Sequence, residues 1–429
     1  MSTNITPVWG WGETQKQLTA EDMDAVVRAA VDGLAGLPLA VLRNRGELGK
    51  RAEDAVQREL GRLGYVNVDP RTVAALVNRV VARVGGLGFL DALLPPSNDR
   101  YTDIQVNADG TVWAREKGAM EHVLLEDVRP EPEEIWRVVE VLLAAEGKAL
   151  SEATPTVDAK IPRDPNINFG GARVKVIHPI LAPGVGARDA EGRYRPVPVI
   201  SIRLYEPRPV PPEQIVRWGV FPEGVMEGLL DAVRRRLRVL VIGGTSTGKT
   251  TLLAALSHGI PEDARIVKIE DPEEIWLPHP NVVTLEARPA PPGSTVPPYD
   301  VADGVDDALR LAPSHIIVGE VRKGEAALSL FRAFMTDHAG LTTFHAEGPD
   351  EAVFRLAVLM YATKTQVRFE AAKALFEQAI DLVVQVGWRE GKRRGLGVWE
   401  VTGLSGGNVK FRRLWEPGAE QMETPSRTR

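Results

Sequence analysis

The spacing of apolar residues predicts that the chain begins with helices. From about residue 19 to 63, apolar positions such as Met23, Val26 and Val27 recur at helical spacing within a charged background. A second helical pattern begins at Val73. The first of these stretches carries no side chains with an evident chemistry, so it is interpreted as a packing or docking element.

Beyond residue 100 the apolar period changes to two, the period of a strand. Segments 102–107 and 111–115 flank an Asp-Gly dipeptide, which favours a tight hairpin turn. Further elements are predicted as a helix near 135–145 and strands at 173–177 and 199–203. This mixture of helices and strands indicates an α+β domain.

Prolines concentrate in residues 206–212 and close that domain, since proline stiffens a connection and interrupts helices and central strands. Strand and helix patterns then alternate to about Val401, which predicts a parallel sheet with helices on both faces. A second proline-rich run at 288–298 predicts a surface loop or a lid. The predicted organisation is a helical N-terminal extension at 1–60, an α+β (PAS-like) domain at 61–205, a proline-rich linker at 206–221, an α/β domain at 222–412 and a disordered tail at 413–429.

One strand-to-helix junction carries a phosphate-binding pattern. The apolar strand 239–242 runs into Gly243, four further residues, then Gly248, Lys249 and Thr250, and then helical periodicity. A glycine-rich turn lets successive backbone N–H groups face one phosphate, and the helix N-terminus adds unpaired donors. The pattern predicts ATP binding, with Lys249 on the β- and γ-phosphates and the Thr250 hydroxyl on Mg²⁺. The predicted nucleotide-binding residues are Gly243, Gly244, Thr245, Ser246, Thr247, Gly248, Lys249, Thr250 and Thr251.

Acidic residues follow two later apolar strands. One strand ends in Glu270 and Asp271, and the other is followed by Glu320. Carboxylates at the carboxyl ends of strands lie where open α/β sheets bind their ligands. Glu270 and Glu320 are therefore both candidates to orient the attacking water, and Asp271 and Glu320 are candidates to join Thr250 around Mg²⁺. Between the two glutamates we favour Glu270 for the water and Glu320 for the metal.

Two of the seven histidines, His338 and His345, fall in one short stretch between a helix and an apolar strand. Without further ligands at suitable spacing the pair does not predict a metal site. Beside a nucleotide, however, a histidine can donate to the γ-phosphate and register its loss. His345 is the predicted γ-phosphate sensor.

Taken in order, these motifs resemble the secretion and pilus ATPase superfamily, which includes VirB11-like, type II secretion, type IV pilus and Tad/CpaF-like motors. The aspartate box, the glutamate-bearing Walker B strand and the histidine box of that family match residues 269–274, 318–322 and 336–345. Residues 86–94 and 103–107 look like the N-terminal domain of the Tad/CpaF-like and VirB11-like branch, and the resemblance is closest to the Tad/CpaF-like members. It covers roughly residues 73–410 and implies a RecA-like P-loop NTPase motor domain. Asp337 stands where the histidine box usually has glycine.

The resemblance implies a homo-hexameric ring that hydrolyses ATP to ADP and phosphate to drive pilus assembly, type II or type IV secretion, or conjugative transfer. It also implies that arginines of the N-terminal domain reach the γ-phosphate across an interface, and Arg173 and Arg203 stand at the matching positions. A guanidinium delivered by a moving domain stabilises transition-state charge and couples closure to chemistry. The implied partners are inner-membrane platform or secretion-channel proteins, with peripheral attachment at the cytoplasmic face.

Composition narrows the classes of function. The 429 residues are 44% hydrophobic and 26% charged, as in globular proteins, and no cysteine occurs. Disulfides, zinc–thiolate sites and thiol nucleophiles are therefore excluded. The N-terminus lacks a secretory signal pattern, and no apolar run approaches the roughly 20 residues of a membrane span. A cytoplasmic location is expected.

Two other functions are compatible with the same motifs. A nucleic-acid translocase or helicase shares the motor core, but it needs a basic channel, and the net charge of −6 argues against binding through bulk charge. We therefore expect no direct nucleic-acid binding. A nucleotide-gated assembly scaffold would bind ATP and barely hydrolyse it, and the presence of both glutamates and both histidines argues against it.

Overall fold

The computed structural model describes residues 18–34, 45–65, 67–290 and 294–427. The predicted N-terminal extension therefore lies partly outside the described residues. The chain folds into two compact units. The first comprises the described residues up to Glu116 together with His122–Ile161 and Arg173–Arg203, and the second comprises Lys117–Glu121, Pro162–Ala172 and the residues from Leu204 onward.

Three amphipathic helices open the first unit, namely α1 (Ala20–Asp32), α2 (Arg45–Arg62) and α3 (Pro70–Gly85). Thr19 and Asp69 cap α1 and α3 by accepting hydrogen bonds from backbone N–H groups of the first turn. The apolar faces share one core, to which the helices contribute Val27, Val56 and Val80 respectively. The structure corrects the predicted boundary at residue 60, because that residue lies inside α2 and because α3 packs with the two helices before it.

A six-stranded sheet forms the rest of the first unit. Its strands are β1 (Tyr101–Val106), β2 (Val112–Glu116), β3 (Val123–Leu124), β4 (Thr156–Ile161), β5 (Ala172–Ile177) and β8 (Val199–Leu204), in the order β3-β2-β1-β8-β5-β4. Helix α4 (Pro132–Ala144) buries Ile135 and Val139, and β6 (Ala187–Arg188) pairs with β7 (Tyr194–Arg195) outside the sheet. Strands β1 and β2 pair antiparallel, with Ile104 opposite Ala114, so the predicted hairpin is confirmed.

The second unit is built on an eight-stranded sheet in the order β11-β10-β12-β13-β9-β14-β15-β16. Its strands are β9 (Val239–Ile242), β10 (Ile266–Glu270), β11 (Val282–Glu286), β12 (His315–Val318), β13 (Ala339–Phe344), β14 (Leu382–Arg389), β15 (Lys392–Ser405) and β16 (Asn408–Trp415). Its helices are α5 (Pro212–Arg217), α6 (Glu223–Arg234), α7 (Lys249–Leu256), α8 (Val301–Ala308), α9 (Gly324–Met335), α10 (Pro349–Tyr361) and α11 (Phe369–Ala379). Short 3-10 turns lie at Gly88–Ala92 and Pro165–Ile167 in the chain before the linker and at Ser257–Gly259 after α7.

The six strands from β11 to β14 are parallel, and helices cover both faces of this part of the sheet. Strand β9 shows the consequence: Val239 and Val241 enter one hydrophobic core, whereas Leu240 and Ile242 enter the other. The predicted parallel sheet is confirmed for these strands. Strands β15 and β16 then extend it as an antiparallel hairpin that the apolar pattern did not reveal.

The predicted linker at 206–221 contains a helix. Pro211 is the N-cap of α5 and Pro212 is its first residue. Proline fits there because the first helical N–H groups have no intrahelical acceptor and because its fixed φ suits a helix. The run of prolines therefore starts a helix here instead of excluding one.

The structure also differs from the predicted disordered tail at 413–429. Strand β16 continues to Trp415, whose indole Nε1 donates to the Ala419 carbonyl at 2.7 Å. Further along, the Arg427 N–H donates to the Glu400 carboxylate at 2.8 Å. Polar residues that suggest a solvated tail are here partners of buried acids. No helix among the described residues is both long and apolar enough to cross a bilayer.

Candidate functional site

The site is assembled by sheet topology. Strands β10, β12, β13 and β9 are consecutive neighbours and run parallel, so their carboxyl ends meet along one edge of the sheet. The residues at or directly after these ends are Glu270, Glu320, His345 and the loop that begins at Gly243. Four motifs that are far apart in sequence are thereby brought to one edge, where open α/β sheets bind their ligands.

The loop between β9 and α7 has the backbone shape that its glycines predict. A Cβ at Gly243 would lie 2.2 Å from the Val386 carbonyl oxygen, and Gly248 caps α7 with a left-handed φ of 94°. The Thr247 hydroxyl donates to the Gly244 carbonyl at 2.9 Å and fixes the turn. The loop therefore delivers the chain to the N-terminus of α7, whose first N–H groups are available to an anion.

Lys249 is a buried cation whose hydrogen-bonding partners are uncharged. Only 7% of the surface of Lys249 is exposed. Its Nζ donates to the Gly244 carbonyl at 2.8 Å and lies 3.4 Å from His345 Nδ1. Burial lowers the pKa of Lys249 to about 8; nearby Glu320 opposes this change and Arg322 adds to it. An ammonium group placed in this way fits the oxygens of a phosphate.

Glu270 closes β10 and is buried, with 3% of its surface exposed. Its Oε1 accepts hydrogen bonds from the N–H groups of Ile275 at 3.1 Å and Glu274 at 3.3 Å, and its Oε2 lies 2.9 Å from Lys268 Nζ. Burial raises the pKa of Glu270 to about 7 in spite of these donors. A carboxylate with a pKa near neutrality is suited to accept a proton from water.

Glu320 and His345 form the other half of the edge. Glu320 Oε1 lies 2.8 Å from His345 Nε2, and Oε2 accepts a hydrogen bond from Arg322 Nε at 2.6 Å. Burial and the charge of Lys249 lower the pKa of His345, although Glu320 opposes them. The lowered pKa favours a neutral ring, which lies between the Glu320 carboxylate and Lys249 Nζ; this Nζ is 3.4 Å from Nδ1 and 3.5 Å from Nε2.

A cavity of about 100 Å³ beside the loop is lined by Thr250, Glu270, Asp271 and Glu320. Within the described residues, no group of three or more His, Cys, Asp or Glu side chains could hold a metal ion by itself. Mg²⁺ commonly keeps water and phosphate oxygens and takes only one or two protein carboxylates. The predicted ligands Thr250, Asp271 and Glu320 thus fit a Mg²⁺ ion that arrives with a nucleotide.

The two histidines of the histidine box lie at opposite ends of β13. His345 follows the strand and faces the site, whereas His338 precedes it and lies 3.1 Å from the Ala333 carbonyl oxygen. Asp337 adopts a positive φ of 69°. Glycine adopts a positive φ without steric cost, which explains why it usually occupies this position of the histidine box.

Arg173 and Arg203 lie on the sheet of the first unit, on β5 and β8, and do not belong to the cluster at the edge of the second. Arg203 Nε donates to Asp103 Oδ1 at 3.1 Å, and Asp103 also pairs with Arg115. The structure therefore brings together Lys249, Thr250, Glu270, Asp271, Glu320 and His345, and it places the two arginines elsewhere.

Sequence reasoning missed Lys268 and Arg393. Lys268 is a charged residue among the apolar residues Ile266, Val267 and Ile269 of β10, which is a signal that the sequence does contain. Arg393 comes from β15; its Nε donates to the Ser246 carbonyl at 3.1 Å, and its guanidinium stacks on the Trp388 ring. No local pattern connects Arg393 with a loop so distant in sequence.

A parallel sheet with a glycine-rich loop, a buried lysine and acids at its carboxyl edge defines a RecA-like P-loop NTPase domain. The family described as Type II/IV secretion system protein matches residues 105–386, a stretch that begins in the first unit and ends in the second. This chain belongs to that family of secretion ATPases.

The chain is similar to several individual proteins. A putative conjugal transfer protein of Mycobacterium tuberculosis is 30% identical over 331 residues, which cover 77% of this chain and 88% of that protein. The type IV secretion system protein PtlH of Bordetella pertussis is 37% identical over 180 residues, 40% of this chain and 52% of that protein. The solved structure of the ATPase DotB of Legionella pneumophila covers 70% of this chain and 77% of its own, with 18% identity and a TM-score of 0.49.

Proposed function

We propose that this protein is a motor that hydrolyses ATP to ADP and phosphate with Mg²⁺. The observation that carries the proposal is the convergence of Lys249, Glu270, Glu320 and His345 at the carboxyl edge of one parallel sheet. This set provides a phosphate-binding cation, a base and a group that can register the γ-phosphate. Phosphoryl transfer needs these parts to be positioned more than it needs covalent chemistry.

Lys249 and the N–H groups of the loop and of α7 bind the β- and γ-phosphates. The oxygens of Thr250, Asp271 and Glu320 would hold Mg²⁺, and the bound ion would supply positive charge that offsets the charge of the phosphates. Glu270 accepts the proton of the attacking water. Its assignment over Glu320 is supported by its pKa of about 7, which suits a group that accepts a proton near neutral pH.

His345 acts as the γ-phosphate sensor. In its neutral form it connects Lys249 with Glu320, so a change in the partner of Lys249 is transmitted to the metal-binding side of the site. Arg173 and Arg203 supply further positive charge to the γ-phosphate from the first unit. The ion pair of Arg203 with Asp103 supports a guanidinium held in a fixed orientation.

We further propose that the motor is a homo-hexamer that works at the cytoplasmic face of the inner membrane with platform or secretion-channel proteins. Two observations support transport of protein, pilin or DNA as the task of the motor. The chain belongs to the secretion family, and its relatives include a putative conjugal transfer protein and a type IV secretion system protein. Light scattering with and without ATP tests the oligomeric state, and a monomer under both conditions would contradict the ring.

The substitution Lys249→Ala tests the chemistry. It removes the buried cation, so we expect ATP turnover and nucleotide affinity to be lost while the melting temperature stays close to that of the parent. Lys364→Ala, at an exposed position of the same unit, is the matched control and leaves turnover unchanged. Hydrolysis by Lys249→Ala at the parental rate would contradict the proposed function.

A further inference from the structure

Lys268 is a lysine in the interior of a buried strand. It lies on β10 among Ile266, Val267 and Ile269, and only 2% of its surface is exposed. Lysine is almost never fully buried unless it is paired, because an isolated ammonium group loses its hydration. The contacts of its Nζ atom therefore explain why it is present.

Three acceptors surround Lys268 Nζ. It lies 2.9 Å from Glu270 Oε2 and 2.9 Å from Glu273 Oε1, and it donates to the Ile275 carbonyl. Residues two apart on a strand project from the same face, which places Lys268 directly beside Glu270. The ammonium group thus ties the carboxylate at the end of β10 to the turn that follows it.

The turn after β10 contacts both Glu270 and Lys268 through its backbone. The N–H groups of Glu274 and Ile275 donate to Glu270, while the Ile275 carbonyl accepts from Lys268. Directly after the neighbouring strand β12, a Cβ at Gly319 would lie 3.0 Å from Glu270 Cγ, so the side chain is confined there as well. The carboxylate is thus held by Lys268 and the turn in the wall of the cavity.

The charged side chains that line this cavity besides Glu270 are Asp271, Glu274, Asp300, Glu320, Arg322 and Lys323. Lys268 does not line it. Any influence of Lys268 on a reaction in the cavity must therefore pass through Glu270 or through the turn.

We propose that Lys268 is a positioning residue for hydrolysis, which holds the Glu270 carboxylate against the cavity by pinning it to the turn at 273–275. The inference rests on the proposed role of Glu270 as the base. Residues that hold metal ligands in place through hydrogen bonds change affinity or activity by about 10- to 100-fold when they are replaced, and we expect an effect of the same order for Lys268.

The test is Lys268→Met, which keeps an unbranched side chain and removes the donor. We expect kcat to fall by about 10-fold or more, with KM and the affinity for a fluorescent ATP analogue within about twofold of the parent. Lys364→Met, the same substitution at an exposed position of the same unit, is the matched control, and its kcat stays near that of the parent. If Lys268→Met does not fold, Lys268→Gln carries the test under the same criteria.

Two further variants separate this inference from the proposed function. Added to Glu270→Gln, the Lys268→Met substitution changes the residual rate by less than about twofold if Lys268 acts through Glu270. A further tenfold loss, or a parental kcat in folded Lys268→Met, overturns the inference. If Glu270→Gln itself hydrolyses ATP at the parental rate, the role of Glu270 fails; if Glu270→Gln is inactive and Lys268→Met is not, only the inference about Lys268 fails.

Discussion

Among its described residues, the second unit contains two clusters of buried or partly buried ionisable side chains, and their charges are compensated very differently. The first place, here called the edge cluster, consists of Lys249, Glu270, Glu320 and His345. The second, called the arginine cluster, consists of Arg238, Asp381, Glu400, Arg412 and Arg427.

The arginine cluster is fully paired. Asp381, which is completely buried, accepts hydrogen bonds from Arg238 Nε at 2.9 Å, from Arg238 Nη2 at 3.1 Å and from Arg427 Nη1 at 3.0 Å. Glu400 accepts from Arg412 Nη2 at 2.7 Å. Burial alone would raise the pKa of Glu400, but hydrogen bonds from Arg427 and Arg412 outweigh it and hold the pKa below its usual value.

In the edge cluster, burial changes the pKa values of Lys249 and Glu270 more than their charged neighbours do. The pKa of Lys249 falls to about 8 and that of Glu270 rises to about 7, so both groups move toward neutrality. Groups perturbed in this way are able to exchange protons or bind ions near physiological pH, whereas fully paired groups are held in one state. The comparison predicts that substitutions in the edge cluster change activity, and that substitutions in the arginine cluster change stability.

The largest effect is expected for Glu270→Gln. Loss of the base lowers kcat by about 10²- to 10⁴-fold, which is about 2.7 to 5.5 kcal/mol of transition-state stabilisation. Lys268 keeps Glu273 and the Ile275 carbonyl as partners, so the free energy of unfolding changes by less than about 1 kcal/mol. Steady-state kinetics and urea denaturation measure the two quantities. A destabilised variant with a parental kcat would show that Glu270 serves stability and not activity.

Asp381→Asn is the corresponding change in the arginine cluster. It replaces a carboxylate by an amide of the same shape and leaves Arg238 and Arg427 without their shared anion. Breaking a buried ion pair in this way costs about 3 to 5 kcal/mol of unfolding free energy. Below its melting transition the variant should hydrolyse ATP at the parental rate, and a selective loss of kcat in a stable variant would show that the cluster serves the chemistry.

His315, outside both clusters, is a buried titratable side chain with no acidic partner near it among the described residues. It begins β12, the strand that leads to Glu320, and within the described part of the chain its Nε2 has no hydrogen-bond partner. Burial, with smaller contributions from Arg236 and His279, lowers its pKa from 6.5 to about 4. Because the unfolded chain binds a proton that the folded chain excludes, stability is lost as the pH falls from 6.5 toward 4.

This loss amounts to about 3 kcal/mol. Urea denaturation at pH 7, 5.5 and 4.5 measures it, with His315→Leu as the comparison. The substitution removes the titrating group, so the decline over this window becomes shallower by that amount. An unchanged decline in the variant would assign the acid sensitivity to other groups.

The edge cluster could be predicted from the sequence because each of its parts is a local pattern. A glycine-rich loop, an acid after an apolar strand and a histidine after another are each visible within ten residues. Parallel pairing then brings their strand ends together, and the alternation of strands and helices predicted that pairing. The remaining choice, the role of each glutamate, required burial and hydrogen-bond partners, which no local pattern contains.

The arginine cluster could not be predicted, since its members are paired over long distances. Asp381 is 143 residues from Arg238 and 46 from Arg427. Seen locally, Arg427 belongs to a polar stretch typical of a disordered tail, and Asp381 and Glu400 are isolated acids beside apolar strands. Their partners are determined by the antiparallel strands β15 and β16, which were themselves absent from the prediction.

Arg427→Met gives the smallest expected effect and tests whether the end of the chain contributes to the fold. The substitution removes one partner each from Asp381 and Glu377, but Asp381 keeps Arg238. We therefore expect a loss of about 1 to 2 kcal/mol of unfolding free energy, less than for Asp381→Asn because no buried acid is left unpaired.

Arg234→Met is the control for that measurement, because its pair with Asp231 is exposed and changes stability by less than about 0.5 kcal/mol. ATP turnover is unchanged in both variants, since neither arginine lies at the carboxyl edge of the sheet. If Arg427→Met were as stable as the control, the pairing of the tail would be energetically neutral, and the stability of the arginine cluster would rest on Arg238 and Arg412 alone.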